Sequence, residues 1–82
     1  MDRFLAMRVF VDAVDLGSLT AAANKLDISR AMATRHIASL EKSLGVRLLH
    51  RSSRSLGATG AGNDILPYCR QVLALNEDIE SV

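Results

Sequence analysis

Little in this sequence equips it for chemistry or for a covalent staple. Among 82 residues there is one cysteine, Cys69, so no internal disulfide forms. One thiol with two separated histidines, His36 and His50, does not make a zinc site. One proline and five glycines without a period exclude collagen-like and low-complexity classes. No apolar run approaches the roughly 18 residues of a membrane span. The start, Met1-Asp2-Arg3-Phe4, lacks the layout of a signal peptide, so the expected compartment is the cytosol. No paired carboxylates are expected at an apolar cleft, and neither histidine has a nucleophile at a useful spacing. Gly57, Gly60 and Gly62 lack the downstream Lys-Ser/Thr of a phosphate loop. The expectation is therefore no enzyme and no cofactor.

What is present is an ordinary globular composition, 49% hydrophobic and 23% charged, enough for one small domain. A chain this short has little core, and must lean on regular helices or on a partner subunit. The net charge of +1 conceals a strong asymmetry. Between residues 24 and 54, seven Lys and Arg stand against Asp27 and Glu41, whereas both flanks are mildly acidic. A basic block of this kind suits a polyanion bound on one face, although a solvated surface has the same composition.

Apolar spacing predicts four helices. Phe4, Met7, Val11 and Val14, broadened by Leu5, Phe10 and Leu16, form a stripe expected to face the core, in a helix started by Asp2 and stopped by Gly17. Ser18 or Thr20 caps a short second helix through Ala21, Ala22, Ala23 and Leu26. Ser29 caps a third that runs to Leu44 and is closed by Gly45, with Ala33, Ile37, Leu40 and Leu44 on its apolar side. The short turn between the second and third has helix-turn-helix spacing. Residues 46–51 and 56–58 read as two short strands, a wing with arginine at its tip. Thr59 caps the last helix, which Pro67 either kinks or delays until about Asp64. Ile65, Tyr68, Val72, Leu75, Ile79 and Val82 then follow a heptad. This seam is either core or a dimer interface, and the length of the helix favours the interface. Val82 ends the chain in mid-pattern, with no stop signal, which suggests a fragment of a longer protein.

The motifs Phe10-Val11-Asp12-Ala13-Val14, Gly17-Ser18-Leu19-Thr20-Ala21-Ala22-Ala23, Ile28-Ser29, Arg35-His36-Ile37, Leu40-Glu41, Leu44-Gly45-Val46-Arg47-Leu48-Leu49 and Arg51-Ser52-Ser53-Arg54 keep a fixed order. Together with Thr59, Ala61-Gly62 and Leu66-Pro67-Tyr68, they resemble the N-terminal domain of LysR-type transcriptional regulators over essentially the whole chain. The resemblance implies a mainly α fold. Residues 1–58 would be a winged helix-turn-helix of three helices plus a two-stranded wing, and residues 59–82 a linker helix pairing antiparallel with its twin. It also implies a C-terminal effector domain outside this chain, an unspecified small-molecule effector, and tetramers in full-length members.

The expected partner is double-stranded promoter DNA. The helix at 29–44 would enter the major groove, with Arg30 and Thr34 touching bases beside Ala31. Ser18, Thr20, Ser29 and Arg35 would meet phosphate. Arg51 and Arg54 would lie on the backbone or in the minor groove. Where the family often has Gln-Pro, this chain has Arg30-Ala31, and arginine favours guanine where glutamine favours adenine. Thr34 replaces a frequent Ser, His36 a frequent Gln, and Ser55 a frequently basic residue. Gly57 and Gly60 replace residues that are more often Ser/Thr and Glu. The competing expectations are a structural ion pair from Arg35 to Glu41 or Asp27, a half-buried His36, and plain surface charge for Lys42 and Arg47. Ile65, Tyr68, Val72, Leu75 and Ile79 are the expected dimer contacts. The competing reading of the whole is a protein-interaction module built on that seam, without sequence-specific DNA binding.

Overall fold

The computed structural model describes residues 1–50 and 56–82. The tip of the expected wing, with Arg51 and Arg54, lies outside the described residues. The element order is α1 (Arg3–Leu16), α2 (Leu19–Lys25), α3 (Arg30–Leu44) and α4 (Gly60–Glu80).

Each helix start has its own oxygen acceptor for the otherwise unpaired N–H groups of a first turn. Asp2 accepts from the Leu5 amide at 3.1 Å, Ser18 from Ala21 at 3.1 Å, and Ser29 from Met32 at 3.0 Å. Ser18 is thus the α2 cap, and Thr20 is an exposed helical residue. Gly17 and Gly45 end α1 and α3 at φ 68° and 72°, in the left-handed region that glycine tolerates. Asp27, at φ 55°, makes the tight turn between α2 and α3.

The core gathers around α1. Ala6, Val9, Phe10 and Ala13 are fully enclosed, against Ala22 and Ala23 of α2 and Ala33, Ile37 and Leu40 of α3. The α1 stripe expected from spacing is displaced. Val11 is buried, but Met7 and Val14 are half-buried and Phe4 is 47% exposed. The reason is that α1 is touched by α2, α3 and α4 at once. Its buried arc is wider than one stripe, and its alanines mark the close crossings. The arc even takes in Asp12, whose carboxylate accepts from Lys25 Nζ at 3.0 Å while its second oxygen has no partner. That pair ties α1 to the last turn of α2.

The two strands expected at 46–51 and 56–58 reduce, among the described residues, to one antiparallel bridge between Leu49 and Ala58. Donors that a longer ladder would need are committed to α3. The Leu48 amide donates to Glu41 Oε2 at 2.8 Å, and the Val46 amide to the Glu41 carbonyl at 3.2 Å. Around the bridge, His50 donates to the Gly57 carbonyl and Thr59 to the Leu48 carbonyl.

Pro67 does not delay α4, which starts at Gly60 directly after its cap, Thr59. The ring is exposed, so water can serve the carbonyl one turn earlier that loses its amide. The buried side of α4 is Gly62, Cys69 and Leu73, not the heptad seam. The helix lies antiparallel on α1, fastened by Arg8–Glu77 at 2.8 Å and by a two-pronged Arg70–Asp15 pair at 2.6 and 3.0 Å. Cys69 is sealed in this contact, and burial pushes its thiol up from the ordinary range.

Candidate nucleic-acid interface

The surface in question is built on the first turns of α3. At about 100° per residue, Ala33, Ile37, Leu40 and Leu44 take the core side, and Ala31, Arg35, Ala38 and Lys42 must point away from it. Arg30 and Thr34, four apart, share one flank of the outer face, and Met32 and His36 share the other. The Ser29 cap leaves the remaining first-turn amides of α3 directed outward, where a helix carries partial positive charge.

The charges separate cleanly. Five of the eight described Lys and Arg donate to a protein oxygen or pair with one: Arg3 with Ser43, Arg8 with Glu77, Lys25 with Asp12, Arg47 with Glu41, and Arg70 with Asp15. The three without such a partner are Arg30, Arg35 and Lys42, all on α3. The expected ion pair from Arg35 to Glu41 or Asp27 does not form. Glu41 is six positions on, which turns it to the buried side, where it holds the Leu48 amide at 2.8 Å. The described contact of Arg35 is instead with the Met32 thioether, at 3.9 Å. Hydrogen bonding to the Arg70 guanidinium holds the Asp15 carboxyl below its ordinary range and raises Arg70 in turn, so that pair is neutralised inside the fold.

The structure brings Ser29, Arg30, Ala31, Thr34 and Arg35 onto the first two turns of α3. All but the half-buried Thr34 are exposed. Ser18 and Thr20 lie at the start of α2, the helix packed against α3. Arg51 and Arg54 fall outside the described residues. His36 is half-buried. Arg47 carries the Glu41 contact at 3.9 Å, whereas Lys42 joins the uncompensated set. Spacing alone had no signal for the two buried acids, Asp12 and Glu41, because their partners lie outside the local helical repeat.

A second surface runs along α4. Tyr68, Leu75 and Ile79 are 67%, 63% and 72% exposed, and Ile65 and Val72 are half-buried beside them. With Phe4, the residues Val72, Leu75, Asn76 and Ile79 line an apolar groove of about 200 Å³.

No described helix is long and apolar enough to cross a membrane. A family profile described as "Bacterial regulatory helix-turn-helix protein, lysR family" matches residues 4–63. The chain is 40% identical over 79 residues to the HTH-type transcriptional activator AaeR of Escherichia coli strain K12, covering 96% of this chain and 26% of AaeR. It is also 40% identical over 81 residues to an HTH-type transcriptional repressor of Pseudomonas aeruginosa, covering 99% and 26%. It therefore spans about a quarter of the length of these curated relatives. Among solved structures, the DNA-binding domain of CbnR in complex with DNA superposes with a TM-score of 0.89 at 34% identity, covering 99% of this chain and 92% of that one. OxyR of Corynebacterium glutamicum gives 0.92 at 33%, covering 95% and 25%. With the helix-turn-helix, the wing bridge and the long α4 already evident, these matches identify the chain as a member of the LysR family of bacterial helix-turn-helix regulatory proteins.

Proposed function

We propose that this chain binds double-stranded DNA in a sequence-dependent manner, with α3 in the major groove, as part of a transcriptional regulator. The observation that carries this is the segregation of cations. The fold sets Arg8, Lys25, Arg47 and Arg70 against carboxylates, turns Arg3 onto the Ser43 hydroxyl, and leaves Arg30, Arg35 and Lys42 bare on one helix. Phosphate is the partner that such a stripe lacks. Arg30 and Thr34 are assigned to base edges. Ser18, Thr20, Ser29 and Arg35 are assigned to the backbone, and Arg51 and Arg54 to the flanking backbone or minor groove. No catalytic role is assigned.

The working unit is a homodimer joined along α4 through Ile65, Tyr68, Val72, Leu75 and Ile79, of which Tyr68, Leu75 and Ile79 are otherwise exposed to water. One small domain with a few phosphate contacts binds weakly at physiological salt, and coupling two of them raises the effective concentration of the second. An effector-binding domain, a small-molecule effector and a tetrameric parent complete the proposal.

The test is selection of this chain on a random duplex library at two salt concentrations. A two-fold-related motif whose affinity falls steeply with salt supports the reading. A folded dimer that enriches nothing at either salt favours the alternative, a protein-interaction module built on the α4 strip.

A further inference from the structure

Most of the large apolar side chains left exposed lie on α1 or α4, and on α3 there is one, Met32, 40% exposed. It stands in the first turn on the flank opposite Arg30, and its thioether lies 3.9 Å from the Arg35 guanidinium. It lies outside the core cluster, to which the adjacent, fully buried Ala33 belongs. An unbranched, polarizable side chain left exposed beside a bare cation on a groove-facing turn suits an apolar target there. The major groove offers one such group at base edges, the C5-methyl of thymine. The other groups by which base pairs are told apart there are hydrogen-bond donors and acceptors.

We propose that Met32 is a specificity residue that reads a thymine methyl group, while Arg30 on the opposite flank and Arg35 beside it take polar edges and phosphate. The inference rests on the DNA-binding reading above and goes beyond it by naming one base and the atom read. The methionine also screens Arg35 from water on one side, so the hydrocarbon and the cation act as one surface. Burying one methyl group against Met32 corresponds to about a four-fold gain in affinity for each thymine contacted.

The experiment is a double-mutant cycle across the interface. The duplex enriched from the random library is remade with single thymines replaced by uracil, which removes only the methyl group. Each duplex is titrated with the wild-type chain and with Met32→Ala. The expected result is one thymine in each half-site at which uracil weakens wild-type binding about four-fold and leaves Met32→Ala binding unchanged. A purely structural role for Met32 lowers affinity for thymine and uracil duplexes alike, and that outcome overturns the proposal. So does the absence of any thymine whose methyl group the wild type senses. Failure to enrich any duplex overturns the DNA-binding reading itself, and the Met32 assignment with it. Met32 is exposed, so an unchanged thermal midpoint of Met32→Ala verifies that the fold is intact.

Discussion

At the residue scale, Gly62 and Arg30 mark the two kinds of position this fold contains. A Cβ at Gly62 would stand 2.2 Å from the Leu48 carbonyl oxygen and 3.3 Å from the Ala58 Cβ. Alanine would gain about 1 kcal/mol of helix propensity within α4. The obstacle, however, is backbone, which cannot swing aside as a side chain can. Gly62→Ala is therefore expected to destabilise by about 1–3 kcal/mol, read as a lower urea midpoint with an unchanged slope. Arg30 touches no protein oxygen, so Arg30→Ala should leave stability unaltered. On DNA it should cost about 1–3 kcal/mol and relax the preference at one base position, measured by comparing the motifs selected by the two proteins. A uniform loss across all sequences would make Arg30 a phosphate contact. Both residues stand out in the sequence, but only Arg30 by its chemistry. The need for glycine at position 62 comes from a chain segment 14 positions away, and no local pattern contains that distance.

At the scale of elements, the caps were legible and the packing faces only partly so. Asp2, Ser18, Ser29 and Thr59 each fix a helix start by a contact three residues long, which is within the reach of a sequence pattern. Replacing Ser29 with alanine should cost about 1 kcal/mol of stability and also loosen the first turn of α3. Thermal melts and DNA titrations should thus move together, whereas for Arg30→Ala only the titration moves. The displaced stripe of α1 and the single bridge among the described wing residues have a common cause. Both elements meet several neighbours, and the side they bury depends on partners that periodicity does not see. The α1–α4 fastening responds to acid. The Asp15 carboxyl is held low by Arg70, so its contribution is complete above the ordinary aspartate range, near pH ~4, and is lost as the pH falls through its lowered folded value. Asp15→Asn should lower the melting temperature slightly at pH 7, by an amount equivalent to less than about 1 kcal/mol for so exposed a pair. Wild type and variant should converge in strong acid.

For the whole molecule, the apolar strip of α4 is the feature that a lone copy leaves unsatisfied. Leu75→Asp places a charge in that strip at a position 63% exposed, so the monomer should fold normally. Sedimentation should show the loss of the dimer, and DNA binding should weaken and lose its two-fold motif. A variant that still sediments as a dimer would place the interface elsewhere. The heptad spacing identified this strip while leaving core and interface as alternatives. The core side of α4 had a weaker signature, Gly62, Cys69 and Leu73, because small and medium residues suffice where two helices lie close.

Leu48 lies at the junction of three elements. Its amide is held by Glu41 of α3, its carbonyl accepts from Thr59, and the same carbonyl sits against Gly62 at the start of α4. The Thr59 hydroxyl also donates to the carbonyl of Arg47. A joint fastened this way resists bending. In a dimer built along α4, the gap between the two recognition helices then behaves as a fixed gauge, cut to one length by the protein. A duplex whose half-sites do not match that gauge must itself curve or twist to be gripped. Sequences that bend easily between the half-sites would then be favoured at base pairs the protein never touches.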